Sequence, residues 1–347
     1  MPVNSTPSST RPNARRSRTP VTPAPAARRT RPGTAPDAQL RQIPIAGSRP
    51  RPSSSAGDVV TAYLKIQVAA LRDLEPKVKA DEYDSVHQMR VATRRLRATL
   101  RSFGEVIPRP TTEKVAADLK WIGGLLGEAR DGEVVPAHLQ SSLEPVPVEL
   151  VIGPVQARIQ GHFSPRRAAA REEVIKAFST VRYAKLLADL DRLSLDPPRG
   201  PRAAEPARDV LPAAVHKAYR QAGKRMRVAR RTPPGQDRDV ALHQARKSAR
   251  RARYAAEAAT PAVGKQATKF GKQMKKVQSV VGDHQDAVIA RAASRDLGIG
   301  AHLAGENAFT YGLLYDSEYH RAHVLERKAR KVWKKVSRPR YRRWMKK

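Results

Sequence analysis

From about residue 58 to the C-terminus, apolar residues recur at three- and four-residue spacing, the period of helices packed on one face. Alternation at period two is weak, aromatics make up 5 % of the chain, and Ala, Leu, Arg and Lys dominate. The pattern predicts an all-α fold. Asp58 is placed to cap a helix running to about Leu74, limited by Pro76. Asp84 or Ser85 opens a second helix, closed by Gly104 and Pro108. Thr111 or Thr112 opens a third, which stops at Gly127, and another follows Asp131. Residues 145–165 are the least regular, and a helix from about Pro165 to Leu193 is broken near Thr180. Beyond Pro197-Pro198-Arg199-Gly200-Pro201, helices are predicted over about 209–228, 239–259, 263–281 and 306–336. Pro261 and Gly282 end the second and third of these.

Two of the predicted helices carry one motif. His87-Gln88-Met89-Arg90 leads to Arg94-Arg95-Leu96-Arg97, and His243-Gln244-Ala245-Arg246 leads to Arg250-Arg251-Ala252-Arg253. At about 100° per residue, His87, Arg90, Arg94, Arg97 and Arg101 share a stripe about 80° wide. Met89, Ala92, Leu96, Leu100 and Phe103 fall on the opposite side. The next helix repeats as well: Leu126-Gly127 with Asp131 is matched by Val281-Gly282 with Asp286. The offsets of 156 and 155 residues keep register across two separate helices, which indicates a duplicated helical unit. The first repeat is assigned to 58–195, a linker to 196–206 and the second repeat to 207–344. The copies differ: Lys247 stands where the first has Val91, and Glu257 where it has Arg101.

Composition narrows the chemistry. The 347 residues hold 67 Lys and Arg against 32 Asp and Glu, a formal charge of +35. That excess calls for a polyanionic partner: nucleic acid, an anionic membrane surface or an inorganic phosphate polymer. The absence of cysteine excludes disulfides, thiolate metal sites and cysteine nucleophiles. No apolar run reaches the roughly 18 residues of a membrane span. The basic N-terminus lacks a following apolar segment, so a cytoplasmic protein without membrane insertion is expected. Residues 1–57, rich in Pro, Ser, Thr, Ala and Arg, are expected to form a disordered basic tail, serving solubility or as an anion-attracting tether.

The histidine-led arginine helix, the Leu-Gly-x-x-x-Asp segment after it, and the doubling of both resemble the conserved histidine α-helical domain (CHAD) family over about residues 58–344. The resemblance implies two pseudo-twofold-related four-helix units around a basic central groove. It also implies binding of inorganic polyphosphate and location at polyphosphate granules. Some members carry an N-terminal triphosphate-tunnel domain marked by a Glu-x-Glu-x-Lys strand. This sequence has no such strand, so no triphosphatase activity is carried over.

Arginine suits such a ligand because its planar fork donates two parallel hydrogen bonds and keeps its charge. The candidate polyphosphate-binding residues are His87, Arg90, Arg94, Arg95, Arg97, Arg101 and Lys120 in the first half. Those in the second are Arg220, Lys224, His243, Arg246, Lys247, Arg250, Arg251, Arg253 and Lys275. For Lys120, Arg220, Lys224 and Lys275 a solvated face is the alternative. His87 and His243 leave three readings open: a metal pair, phosphate donors that bind better when protonated, or structural residues bonded to a carboxylate such as Asp131 or Asp286. Asp131 and Asp286 are read as helix caps that hold basic side chains, not as catalytic carboxylates. No catalytic group, metal site or cofactor is assigned, and the protein is expected to bind without catalysis. A nucleic-acid-binding role using the tail and the basic run from Arg327 to Lys347 is the competing reading.

Overall fold

A computed structural model describes residues 54–346; the tail prediction, and all but the last residues of 1–57, lie outside them. Among the described residues the regular structure is helical: α1 (Ala56–Lys79), α2 (Ser85–Ser102), α3 (Arg109–Leu143), α4 (Val155–Phe178) and α5 (Val181–Leu195) form the first half. The second half is α6 (Ala207–Arg231), α7 (Gln236–Val263), α8 (Lys265–Leu303) and α9 (Phe309–Val336), followed by two short 3-10 turns. The all-α architecture read from the sequence is what the chain adopts. The motif helices are α2 and α7, and they pack against each other.

Local chemistry sets the boundaries. Ser55, not Asp58, caps α1: its hydroxyl accepts from the Asp58 N–H at 3.1 Å. Pro76 lies inside the last turn of α1 instead of ending it. Thr180 makes the predicted break between α4 and α5, its side chain accepting from the Tyr183 N–H. Pro165 does not open a helix; α4 begins ten residues earlier, at Val155. Pro261 likewise sits within α7.

The largest departure concerns Gly127 and Gly282. Capping rules make both of them helix ends, yet α3 and α8 run through them for 35 and 39 residues. The reason is a second core. Beyond the glycines, Leu139 and Leu143 of α3 pack with Val155 and Ile159 of α4, Ala290, Leu297 and Ala301 of α8, and Tyr311 and Leu314 of α9. Each fully buried large aliphatic contributes about 1.5–3 kcal/mol, which outweighs the roughly 1 kcal/mol a helical glycine costs. Asp131 and Asp286 therefore lie in mid-helix and cap nothing.

The main core joins the two halves. Leu64, Leu71, Met89, Leu96, Leu119 and Ile122 from the first half meet Leu211, Val215, Phe270, Met274 and Val277 from the second. α7 is built for close approach: Ala245, Ala249, Ala252, Ala255, Ala256, Ala258 and Ala259 are all 0–1 % exposed. Small side chains let α7 sit tightly between α6, α8 and α2. Residues 196–206 form a hydrogen-bonded strap more than a free linker. The Ala56 N–H donates to Glu205 O and the Gly57 N–H to Ala203 O, both at 2.8 Å, and the Gly200 N–H donates to Val106 O. A Cβ at Gly200 would lie 2.4 Å from the Glu105 carbonyl oxygen, so only glycine fits there.

Candidate anion-binding site

Where α2 packs on α7, four guanidinium groups lie within electrostatic range of one another. Arg90 lies within electrostatic reach of Arg94 and Arg246, and Arg250 within reach of Arg94, Arg246 and Arg90. All four are half-buried. Burial, then repulsion from Arg94, pushes Arg90 down to about 10; the same two causes push Arg250 down to about 9. Arg246 is lowered mainly by burial, with Asp286 opposing. Arg90, Arg246 and Arg250 remain charged at neutral pH, so their depressions measure a standing electrostatic cost. The Nε atoms of Arg94 and Arg246 are buried with no hydrogen-bond partner among the described residues. Like charges are gathered here with donors to spare, an arrangement an anion would complete.

Two carboxylates border the cluster, one from each repeat. Asp131 lies 3.7 Å from Arg90. Asp286 faces Arg246, and its carboxyl is raised by burial in spite of that cation. They position the arginines without neutralising all of them. The repeated glycines have the same purpose. A Cβ at Gly127 would meet the Arg90 guanidinium at 3.2 Å, and one at Gly282 would meet that of Arg246 at 3.3 Å. Each glycine leaves the floor on which an arginine lies. The conspicuous Gly-x-x-x-Asp element is thus a cradle and a carboxylate one helical turn apart.

Around this centre the other predicted residues separate. Arg97 and Lys247 lie within range of each other, Lys247 also near Arg250, and Arg97 is repelled by Arg101. Arg251 continues the band, its guanidinium lowered by burial and then by Arg101, Arg109 and Arg225. Lys120 and Lys275 are exposed on α3 and α8, each seven residues before the cradle glycine of its repeat. Arg220 and Lys224 line a cleft along α6 that reaches Ser102 at the end of α2. Arg95 and Arg253 are turned into the core, at 3 % and 6 % exposure. Both stack on Tyr254, and Arg95 pairs with Glu257 at 2.8 Å. The Tyr63 hydroxyl donates to the same carboxylate at 3.2 Å, so α1, α2 and α7 are tied together there.

Of the histidines, His87 is half-buried at the start of α2. His243 is held below its ordinary pKa by burial, then by Lys247, Arg246 and Arg250, with Gln285 of α8 opposing as hydrogen-bond partner. Its structural contact is Gln285, next to Asp286 in sequence, and its Nδ1 is buried with no partner among the described residues. Among the described residues, metal-ligating geometry falls on different ones. Asp239, His284 and Glu326 place their ligand atoms within 4.8 Å of one another. Arg291 already donates to Asp239 at 3.0 Å and Arg238 to Glu326 at 2.9 Å, so this trio is charge-balanced as a brace between α7, α8 and α9. Sequence reasoning missed it because its members come from three helices.

The chain belongs to the CHAD domain family, whose model matches residues 62–295. It is 34 % identical over 272 residues to the uncharacterized proteins MT2285 and Rv2226 from two strains of Mycobacterium tuberculosis. That alignment covers 78 % of this chain and 52 % of each relative, so the chain spans about half the length of the curated relatives it matches. Among solved structures, PptA from Streptomyces chartreusis superposes with a TM-score of 0.69 at 20 % identity, covering 81 % of this chain and all of that one. The CHAD domain from the plant Ricinus communis gives 0.60 at 23 % identity, covering 82 % and 93 % respectively. These likenesses establish the fold. No helix among the described residues is long and apolar enough to cross a membrane.

Proposed function

We propose that the protein binds inorganic polyphosphate, without turning it over, at the crossing of α2 and α7, and that this binding locates it to polyphosphate granules. The observation that carries the reading is the group Arg90, Arg94, Arg246 and Arg250, half-buried and mutually repelling, with Asp131 and Asp286 as the bordering carboxylates among the described residues. A phosphate chain supplies dense negative charge with acceptor oxygens on every unit. It therefore meets several guanidinium forks from both repeats at once, where a single small anion meets one or two. Both carboxylates beside the cluster are engaged in holding arginines, which favours a binding role over acid–base chemistry.

Nucleic-acid binding has one specific observation in its favour. Arg327, Lys328, Arg330, Lys331, Lys334 and Lys335 are all exposed along α9. Competition between long-chain polyphosphate and duplex DNA at matched phosphate concentration, over a salt series, separates the two. Polyphosphate is expected to win at physiological salt, with log affinity falling linearly in log salt. Preference for DNA would transfer the assignment to the α9 surface. Release of orthophosphate from polyphosphate on addition of a divalent metal would contradict a purely binding role.

A further inference from the structure

A third basic row lies on α6, outside the arginine cluster. Lys217, Arg220, Lys224, Arg227 and Arg231 follow one another at offsets of 3, 7, 10 and 14 from the first. His87, Arg90, Arg94, Arg97 and Arg101 have the same spacing. The α6 row thus also occupies a stripe about 80° wide, rising about 21 Å along its helix. It lacks a leading histidine, so the doubled motif does not reveal it. All five side chains are exposed.

Lys217, Arg220, Lys224 and Arg227 form one wall of a cleft of about 1190 Å³ between α6, the α2–α3 turn and the C-terminal segment. Arg109 and Arg342 stand on the other walls. Glu105 is the one acid among the described lining residues, and Arg202 holds it at 3.7 Å. The side-chain oxygens of Ser102 and Ser337, also in the lining, are buried with no partner among the described residues. The cleft joins the arginine cluster electrostatically. Arg251, next to Arg250, is within range of Arg101, Arg109 and Arg225, and Arg97 links Arg101 to Lys247.

The two places differ in what they demand of a ligand. The cluster is half-buried and screened little, so a few phosphates suffice to satisfy it. The α6 row is exposed, where each ion pair contributes little at physiological salt. An anion gains there only by covering many cations at once. We propose that the α6 cleft is a second track for the same polyphosphate chain, which makes binding length-dependent. A short oligophosphate fills the cluster alone; a long chain continues past Arg251, Arg101 and Arg109 onto α6. This inference rests on the polyphosphate reading of the cluster. Once the cluster holds one part of the chain, capture of the remainder is intramolecular, and the second contact multiplies affinity by about 10²-fold.

The test uses the full chain with Lys217, Arg220, Lys224 and Arg227 each replaced by Gln, titrated with inorganic triphosphate and with long-chain polyphosphate. Triphosphate affinity is expected to stay within about two-fold of the unsubstituted protein, while long-chain affinity falls by about tenfold or more. The salt slope for the long chain should shrink by about 3, for four lost phosphate contacts on a single strand. Unchanged long-chain affinity overturns the track. So does an equal loss for both ligands, since α6 would then be acting through the cluster. An unsubstituted protein that binds neither ligand overturns the polyphosphate reading itself, a result distinct from both. Should the quadruple variant fail to fold, Lys224→Gln with Arg227→Gln must show the same selectivity at a smaller loss.

Discussion

Replacing Arg250 by Met should stabilise the ligand-free protein and weaken ligand binding, a combination that a purely structural arginine would not give. Arg250 is half-buried on α7 beside Arg94, Arg246 and Arg90, and its pKa is pushed down to about 9 by burial and by those neighbours. Converted at 1.36 kcal/mol per pH unit, holding the charge at neutral pH costs on the order of 5 kcal/mol at most. Solvent reaching the half-buried tip screens part of this, which discounts the figure to about 1–3 kcal/mol. Methionine keeps most of the aliphatic packing and removes the charge. Thermal unfolding followed by far-UV circular dichroism should therefore move upward by about 2–8 °C. In the same variant, polyphosphate affinity should fall by about tenfold or more, the value of one charge-assisted hydrogen bond at about 1.5–3 kcal/mol. A lower melting temperature without ligand would refute the reasoning, because Arg250 would then be satisfied within the fold.

Four further outcomes follow from the geometry. Gly127→Leu or Gly282→Leu should cost at least tenfold in polyphosphate affinity with helicity retained, since the new side chain displaces Arg90 or Arg246 from its cradle; circular dichroism beside a binding titration checks both halves of that statement. Arg95→Met should leave the affinity of the folded protein unchanged while lowering stability by about 1–3 kcal/mol in a urea melt, because it strands the Glu257 carboxylate. Burial and the flanking cations hold the His243 pKa low, and a bound anion raises it; affinity should rise as pH is lowered from about 8 to 6, and His243→Gln should flatten that dependence. Burial raises the Asp239 and Glu318 pKa values, but the combined attraction of His284 and Arg291 for Asp239, and of His138, Ser142 and Arg321 for Glu318, outweighs it and leaves both depressed. Their contribution to stability is present above the unfolded carboxylate range near pH 4 and is lost as pH falls through the lower folded values, so an acid melt of His138→Gln should show a smaller loss in that window.

Much of the fold and of the site is legible in the sequence, and for physical reasons. The helical period, the twice-written arginine helix and the 155-residue offset all depend on local spacing, which the fold inherits directly. The departures have identifiable causes too. Gly127 and Gly282 look like helix stops by capping rules, yet the glycines serve a neighbouring arginine, and the apolar residues that carry α3 onward, Leu139 and Leu143, lie further along the pattern. Arg95 falls about 80° or more outside the arginine stripe, and that angular displacement alone puts it on the core side of α2. Arg253 falls on the stripe by angle, and only the position of Tyr254 reveals that it turns inward. The α6 row carries the spacing of the motif without its histidine, so a pattern anchored on histidine does not include it. The Asp239–His284–Glu326 brace joins residues from three helices, a proximity no linear spacing encodes.

The most direct measurement of the central claim is the polyphosphate affinity of the full chain carrying Arg94→Glu together with Arg250→Glu, one reversal from each repeat. With far-UV circular dichroism unchanged, binding to long-chain polyphosphate is expected to be abolished at physiological salt. Retention of the unsubstituted affinity by a folded double variant would contradict the claim that α2 and α7 hold the phosphate chain between them.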